Sequence, residues 1–238
     1  MTSRVFARAA GVLVCVVLLV SGCGLVPRSQ SPQEALGLPQ AETPFAQRES
    51  IEEYLRSEEP VLAGFVRALA QRGGGTLGVS PLRLIHHCRD WGPGKEQGWL
   101  FRSEILYVVS VTDADIDEIA SQELSGLPYK GTRGTVQKDG SFVLSSGDAA
   151  NGGEVRIGYF PYRRSPIQYE SGCRPSDGSM GDLNEYVLPS TEEVFPDLVV
   201  YPAFDKDTKQ PNPPPPARGD SSQSDQSGGS GDESGEDQ

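Results

Sequence analysis

Apolar residues fall three and four apart at Ile51, Tyr54, Leu55, Leu62, Phe65, Val66 and Leu69, which puts them on one face of an amphipathic helix. Thr43-Pro44 supplies an N-cap and a first-turn proline, and "RGGG" (residues 72–75) supplies the stop. Pro60 interrupts the run, so the pattern predicts two helices or one kinked helix. The period then changes. "LRLIHHC" (residues 82–88) reads as a strand, followed by a "GPGKEQG" turn, and residues 99–111 give the strongest β signal in "ILYVVSV". A second helix follows, capped by Thr112 or Asp113, with Asp115, Asp117 and Glu118 at its positive end and Ile116, Ile119, Ala120 and Leu124 on its apolar face.

Beyond that helix the pattern is antiparallel. "GTVQ" and "SFVLSS" flank Lys138-Asp139-Gly140, a hairpin signal. "EVRIGYFPY" and "SPIQYESGC" add two strands, the first alternating Val155, Ile157 and Tyr159 with Arg156 and Gly158. The order predicts an α+β fold, an antiparallel sheet of about five to six strands with the N-terminal and mid-chain helices packed on one face.

The N-terminus changes the picture. After Arg4 and Arg8 comes "AAGVLVCVVLLV" (residues 9–20). This apolar run of about a dozen residues is too short to span a bilayer and suits a secretory signal. It ends in Val20-Ser21-Gly22-Cys23, which resembles the lipobox of bacterial lipoproteins over the first two dozen residues. The resemblance implies a signal peptide at residues 1–22, lipidation of Cys23 with palmitate-like chains, and a place on the outer face of the cell membrane. One acyl chain holds marginally and two hold firmly.

Residues 23–42 then read as a flexible tether, 43–175 as the folded domain, and 176–204 as an extended or partly ordered segment. The formal charge is −12, with 33 acidic residues against 21 Lys and Arg, and much of the acid lies near the C-terminus. Residues 205–238 combine "PNPPPP" with an acidic Ser/Gly run, a composition that cannot offset its ordering entropy and reads as disordered. An acidic, exported chain is not expected to bind nucleic acid.

Lipidation also settles the cysteine count. Cys15 leaves with the signal and Cys23 carries lipid, so Cys88 and Cys173 remain and are expected to pair in an oxidising compartment. Such a bridge is worth about 4–5 kcal/mol in the chain-entropy account. Lipobox, amphipathic helix, early Cys-Arg and closing Ser-Gly-Cys-Arg (residues 171–174) together resemble small actinobacterial lipoproteins of the LppA-like kind. That resemblance implies an envelope protein with an α+β domain, a disulfide and no established activity; the acidic tail lies outside it.

Candidate chemistry is sparse. His86, His87 and Cys88 are adjacent, but on a strand His86 and Cys88 share a face while His87 turns away, which leaves too few ligands for zinc. A Cys–His nucleophile fails on the same geometry. There is no Gly-x-Ser-x-Gly elbow, "SGDAANGG" (residues 146–153) reads as a loop, and "RGGGTLG" lacks the Lys-Ser/Thr of a P-loop. "YRRSP" (residues 162–166) reads as a solvated hairpin turn, or as a contact for an anionic glycan or lipid headgroup. Arg218-Gly219-Asp220 matches an integrin-binding tripeptide in the tail, a pattern that recurs by chance.

No catalytic residue, metal ligand or cofactor is assigned. The expected role is non-catalytic binding or envelope organisation, with the membrane, an envelope protein, or a lipid or glycan as partner. The alternatives are a lipid carrier with an apolar cavity between helices and sheet, and an extracytoplasmic enzyme with a cleft of converging titratable groups, for which His86 is the candidate centre.

Overall fold

The computed structural model describes residues 41–80, 83–89 and 96–216. Cys23, the signal and most of the tether lie outside the described residues, as do the Arg-Gly-Asp tripeptide and the acidic end of the tail. Helix α1 is Ile51–Arg72, β1 Thr76–Ser80, β2 Leu84–Arg89, β3 Gln97–Arg102, β4 Ile105–Val108, α2 Asp113–Glu123 and β5 Tyr129–Arg133. Then come β6 Phe142–Asp148, β7 Glu154–Tyr159, β8 Ser165–Glu170, α3 Thr191–Val194 and β9 Val199–Pro202.

The fold is α+β. The main strand path runs β5-β6-β7-β8-β4-β1-β9, with β3 attached to β8 and β2 to β3. Two features depart from the expected sheet: it has nine strands among the described residues, and β1 and β9 pair in parallel. The extra strands are short or polar. β1 is five residues long, with only Leu77 and Val79 as apolar positions either side of Gly78, too short a run to mark a strand in isolation. The expected single strand over 99–111 is two, broken at Ser103 and Glu104. Both are buried, and they bond through their side chains: Tyr169 N–H donates to Ser103 Oγ at 3.0 Å and Thr191 donates to Glu104 at 2.6 Å.

α1 runs through Pro60 as one helix, with buried apolar residues on both sides of it holding the two halves against the sheet. It starts later than expected, because Ser50 rather than Thr43 is the cap: Ser50 Oγ accepts the Glu53 N–H at 3.1 Å. Phe45–Gln47 forms a separate 3-10 turn. Gly73 ends the helix as expected. The Asp139-Gly140 turn is present, but its first strand is Tyr129–Arg133 rather than "GTVQ". α2 begins at Thr112 with a reciprocal cap to Asp115.

The core lies between α1, α2 and the inner sheet face, with Leu62, Phe65, Leu69, Leu77, Phe101, Leu106 and Ile167 fully buried. It also contains Leu183, Phe195 and Leu198. The folded domain therefore continues past residue 175 through α3 and β9, because these residues cover apolar surface that the first 175 leave open. Cys88 on β2 is bonded to Cys173 just after β8, with Cα atoms 5.8 Å apart.

Candidate functional site

An open groove of about 1010 Å³ lies where four strand ends meet. The end of β4 contributes Tyr107 and leads into Val109–Thr112, and the turn from β7 to β8 contributes Tyr159, Tyr162, Arg163 and Arg164. Beyond β9, Phe204, Pro211 and Pro214 form the third wall. That wall is fixed to the sheet: Ala203 N–H donates to Val79 O at 2.8 Å and Asn212 N–H donates to Ala203 O at 3.0 Å. Gly78 allows the close approach underneath, since a Cβ there would stand 3.1 Å from the Tyr201 hydroxyl.

Charge and aromatic surface distinguish the groove. Four aromatic rings line it, Tyr107 and Phe204 meeting edge to face at 5.5 Å, and no Asp or Glu does. Arg164 donates to Ala203 O at 2.7 Å and lies over the Tyr201 ring. Arg163 is exposed; its backbone N–H donates to Phe160 O at 3.1 Å, while its guanidinium makes no hydrogen bond or ion pair among the described residues, although Asp139 is near enough to feel its charge. Burial pushes the Tyr107 phenol up, so it stays a neutral donor.

Backbone strain collects at the same place. The non-glycine residues with left-handed backbone among those described are Ser110, Tyr162 and Lys209. Ser110 and Tyr162 line the groove, and Lys209 sits in the loop between Phe204 and Pro211. A left-handed conformation costs an L-residue about 1–2 kcal/mol. At Tyr162 the ring is fully exposed, with 108% relative accessibility, so packing offsets none of this.

A second constellation is buried. Arg174, with no exposed surface, pairs with Glu49, with Glu58 at 3.0 Å and with Asp148 at 3.5 Å, and lies 4.7 Å from the Tyr54 ring centre. Burial, together with a hydrogen bond shared with Glu49, pushes the Glu58 carboxyl up to about 7. Burial also opposes the charge on Glu49, but its bond to Glu58 and the Arg174 charge outweigh this and hold it below its usual range. The two carboxyls therefore share a proton near neutral pH.

A raised carboxyl beside a partner can mark an acid catalyst. Here the guanidinium and Asp148 are closed to solvent, Glu58 keeps 7% exposure and Glu49 28%. The cluster is a structural network that ties α1 to the loops after β6 and β8. Glu59 makes a parallel link to Arg83 at 2.8 Å and accepts from Tyr169 at 3.0 Å.

The residues singled out by sequence fall as follows. His86 and His87 are exposed on β2; burial, then the Arg102 charge, lowers the His86 pKa, and His87 stacks on Trp99 with ring centres 4.0 Å apart. Neither lines the groove. Among the described residues no group of three or more His, Cys, Asp or Glu could hold a metal. "YRRSP" is a turn, as read, and is also one wall of the groove. A cleft of about 400 Å³ lies between α2 and β5–β7, open to solvent and less than half the volume of the groove.

Sequence reading missed the buried acids. Glu58 and Glu59 stand four residues after Tyr54 and Leu55, on the helix stripe itself, and that position was the available signal. It also missed the third groove wall, which depends on a parallel pairing between distant segments.

No curated protein matches the chain. A crystal structure of a DUF4853 family protein from Actinomyces odontolyticus ATCC 17982 is similar to it, with 25% sequence identity and a TM-score of 0.52 over 65% of this chain and 85% of that one. The model of a domain of unknown function, DUF4853, matches residues 47–182, which include the floor and arginine wall of the groove but not Phe204, Pro211 and Pro214. With more than half of its length matched, the chain belongs to the DUF4853 family.

Proposed function

We propose that this is an exported, lipid-anchored binding domain whose groove takes an anionic glycan of the cell envelope. The observation that carries the reading is a groove with four aromatic residues and two arginines but no carboxylate, in a chain of net charge −12. A sugar ring is apolar on its C–H faces and polar at its edge, so it lies flat on aromatic rings. A guanidinium pairs with carboxylate or phosphate through a fork of donors. Tyr162, exposed and strained, is placed to contact a ligand rather than to pack.

The described chain enters the domain away from the groove. Glu42 and Thr43 donate to Ala149 and Ala150 O at 2.7 and 3.2 Å, at the turn before β7, whereas the groove lies at the far end of β7. The lipobox pattern and the disulfide support export. Cys23→Ser is expected to abolish fatty-acid labelling and move the protein from membrane to soluble fraction. Labelling that persists in the variant contradicts the anchor.

Binding is tested on the full chain in detergent with polygalacturonate, a phosphomannan and neutral dextran. The polyanions are expected to bind and dextran not to. Arg163→Ser is expected to weaken binding about tenfold, as loss of a charged hydrogen bond does. Tyr162→Gly is expected to weaken it too while leaving stability within about 1 kcal/mol of wild type, since glycine relieves the left-handed backbone. Equal binding of all three polymers, or of none, contradicts the reading.

A further inference from the structure

We propose that the acidic C-terminal tail is a ligand of the groove in cis: Asp232, Glu233, Glu236 and Asp237 seat on Arg163 and Arg164, and an outside anion binds by displacing them. This rests on the groove being an anion site, as proposed above. The junction supplies the first argument. Pro211 and Pro214 form a wall of the groove, and Pro216, the last described residue, lies two positions further along the chain. In a polyproline helix, residues three apart share a side, so the stiff segment that lines the groove also launches the tail beside it.

Charge complementarity supplies the second. Residues 217–238 carry six acidic groups and one arginine. The rest of the acidic surface repels them, and four other surface arginines already hold carboxylates: Arg56 with Glu53, Arg67 with Asp197, Arg72 with Asp115, and Arg133 with Asp117, which leaves exposed Arg89 on β2 as the competing site. Arg163 holds none by ion pair among the described residues, and Arg164 spends one donor on a carbonyl.

Reach supplies the third. A Gly/Ser-rich chain of the length separating Pro216 from Asp232 has a root-mean-square span of roughly 20–24 Å. The acids therefore stay at a millimolar effective concentration around the groove. Exposed Arg–carboxylate pairs are individually weak, so the tail occupies the arginines only part of the time and lowers the apparent affinity for an outside anion a few-fold. Salt weakens the contact.

The test compares amide shifts of Ser110, Tyr162 and Arg163 in the full chain and in a full chain carrying Asp232→Asn, Glu233→Gln, Glu236→Gln and Asp237→Asn. The two are expected to differ at low salt and to converge at high salt. The neutralised chain is expected to bind polygalacturonate about two- to fivefold tighter, and Arg163→Ser to remove both differences. Identical groove shifts overturn the proposal, as do shifts confined to Arg89 on β2. If the shifts differ yet no polyanion binds, the tail contact stands and the glycan reading fails. If polygalacturonate binds with no difference in shifts, the reverse holds.

Discussion

Replacing Arg174 with methionine is expected to destabilise the domain by about 3–5 kcal/mol, enough to unfold it near growth temperature. Methionine fills similar volume without charge, so the loss isolates electrostatics from packing. Glu49, Glu58 and Asp148 would then face one another around a buried position with no cation. Protonation of Glu58 relieves only one of the three. Arg174→Lys keeps the charge but loses the forked geometry that reaches several carboxylates at once, and is expected to fall between. Arg174→Met combined with Glu58→Gln and Asp148→Asn is expected to recover part of the loss, and urea unfolding of the set forms the mutant cycle. Wild-type stability in Arg174→Met would remove the cluster from this account.

The same cluster sets a pH dependence. The Glu58 carboxyl titrates at about 7 in the folded chain against an ordinary value of 4.5, so between those values the folded state binds the extra proton. Its contribution is fully present below the ordinary value and is lost as pH rises through about 7. Stability is expected to decline across that window, and Glu58→Gln to flatten the decline. Urea midpoints measured at a series of pH values read this directly.

Loss of the disulfide is the second large effect. Cys88→Ser with Cys173→Ser opens a loop of 85 residues, and the chain-entropy account puts the loss at about 4–5 kcal/mol. Its location predicts how the loss appears. The β2–β3 hairpin joins the rest of the sheet through the Arg102–Glu170 pair and the Trp99–Arg174 bridge. Cys88 fastens the outer strand of that hairpin, and the bridge at Arg174 is one residue from Cys173. Without the bond, amides of β2 and β3 are expected to exchange before those of β6–β8, followed by failure of the Arg174 cluster. A uniform rise in exchange over the whole sheet would show instead that the bond acts only through the unfolded chain.

Sequence carried the fold class, both long helices and the cysteine pair because each rests on local periodicity or counting. Ile116 and Ile119 are buried where their spacing put them, and Val155 and Ile157 alternate inward as the strand pattern requires. What it could not carry depends on distant contacts. Val199–Pro202 becomes a strand only because β1 offers an edge, and Phe204 and Pro211 become a wall only once β9 is in place. Glu58 and Glu59 look like solvated acids until Arg174 and Arg83, far along the chain, are brought to them. "YRRSP" was visible as two adjacent arginines, but its chemistry comes from the rings that other segments place around it.

The most direct measurement of the central claim is hydrogen exchange of the full chain with and without saturating polygalacturonate. The account predicts slowed exchange at residues 107–112 and at Tyr159–Arg164, with little change elsewhere. Protection confined to β2, or to the cleft between α2 and β5–β7, would contradict it.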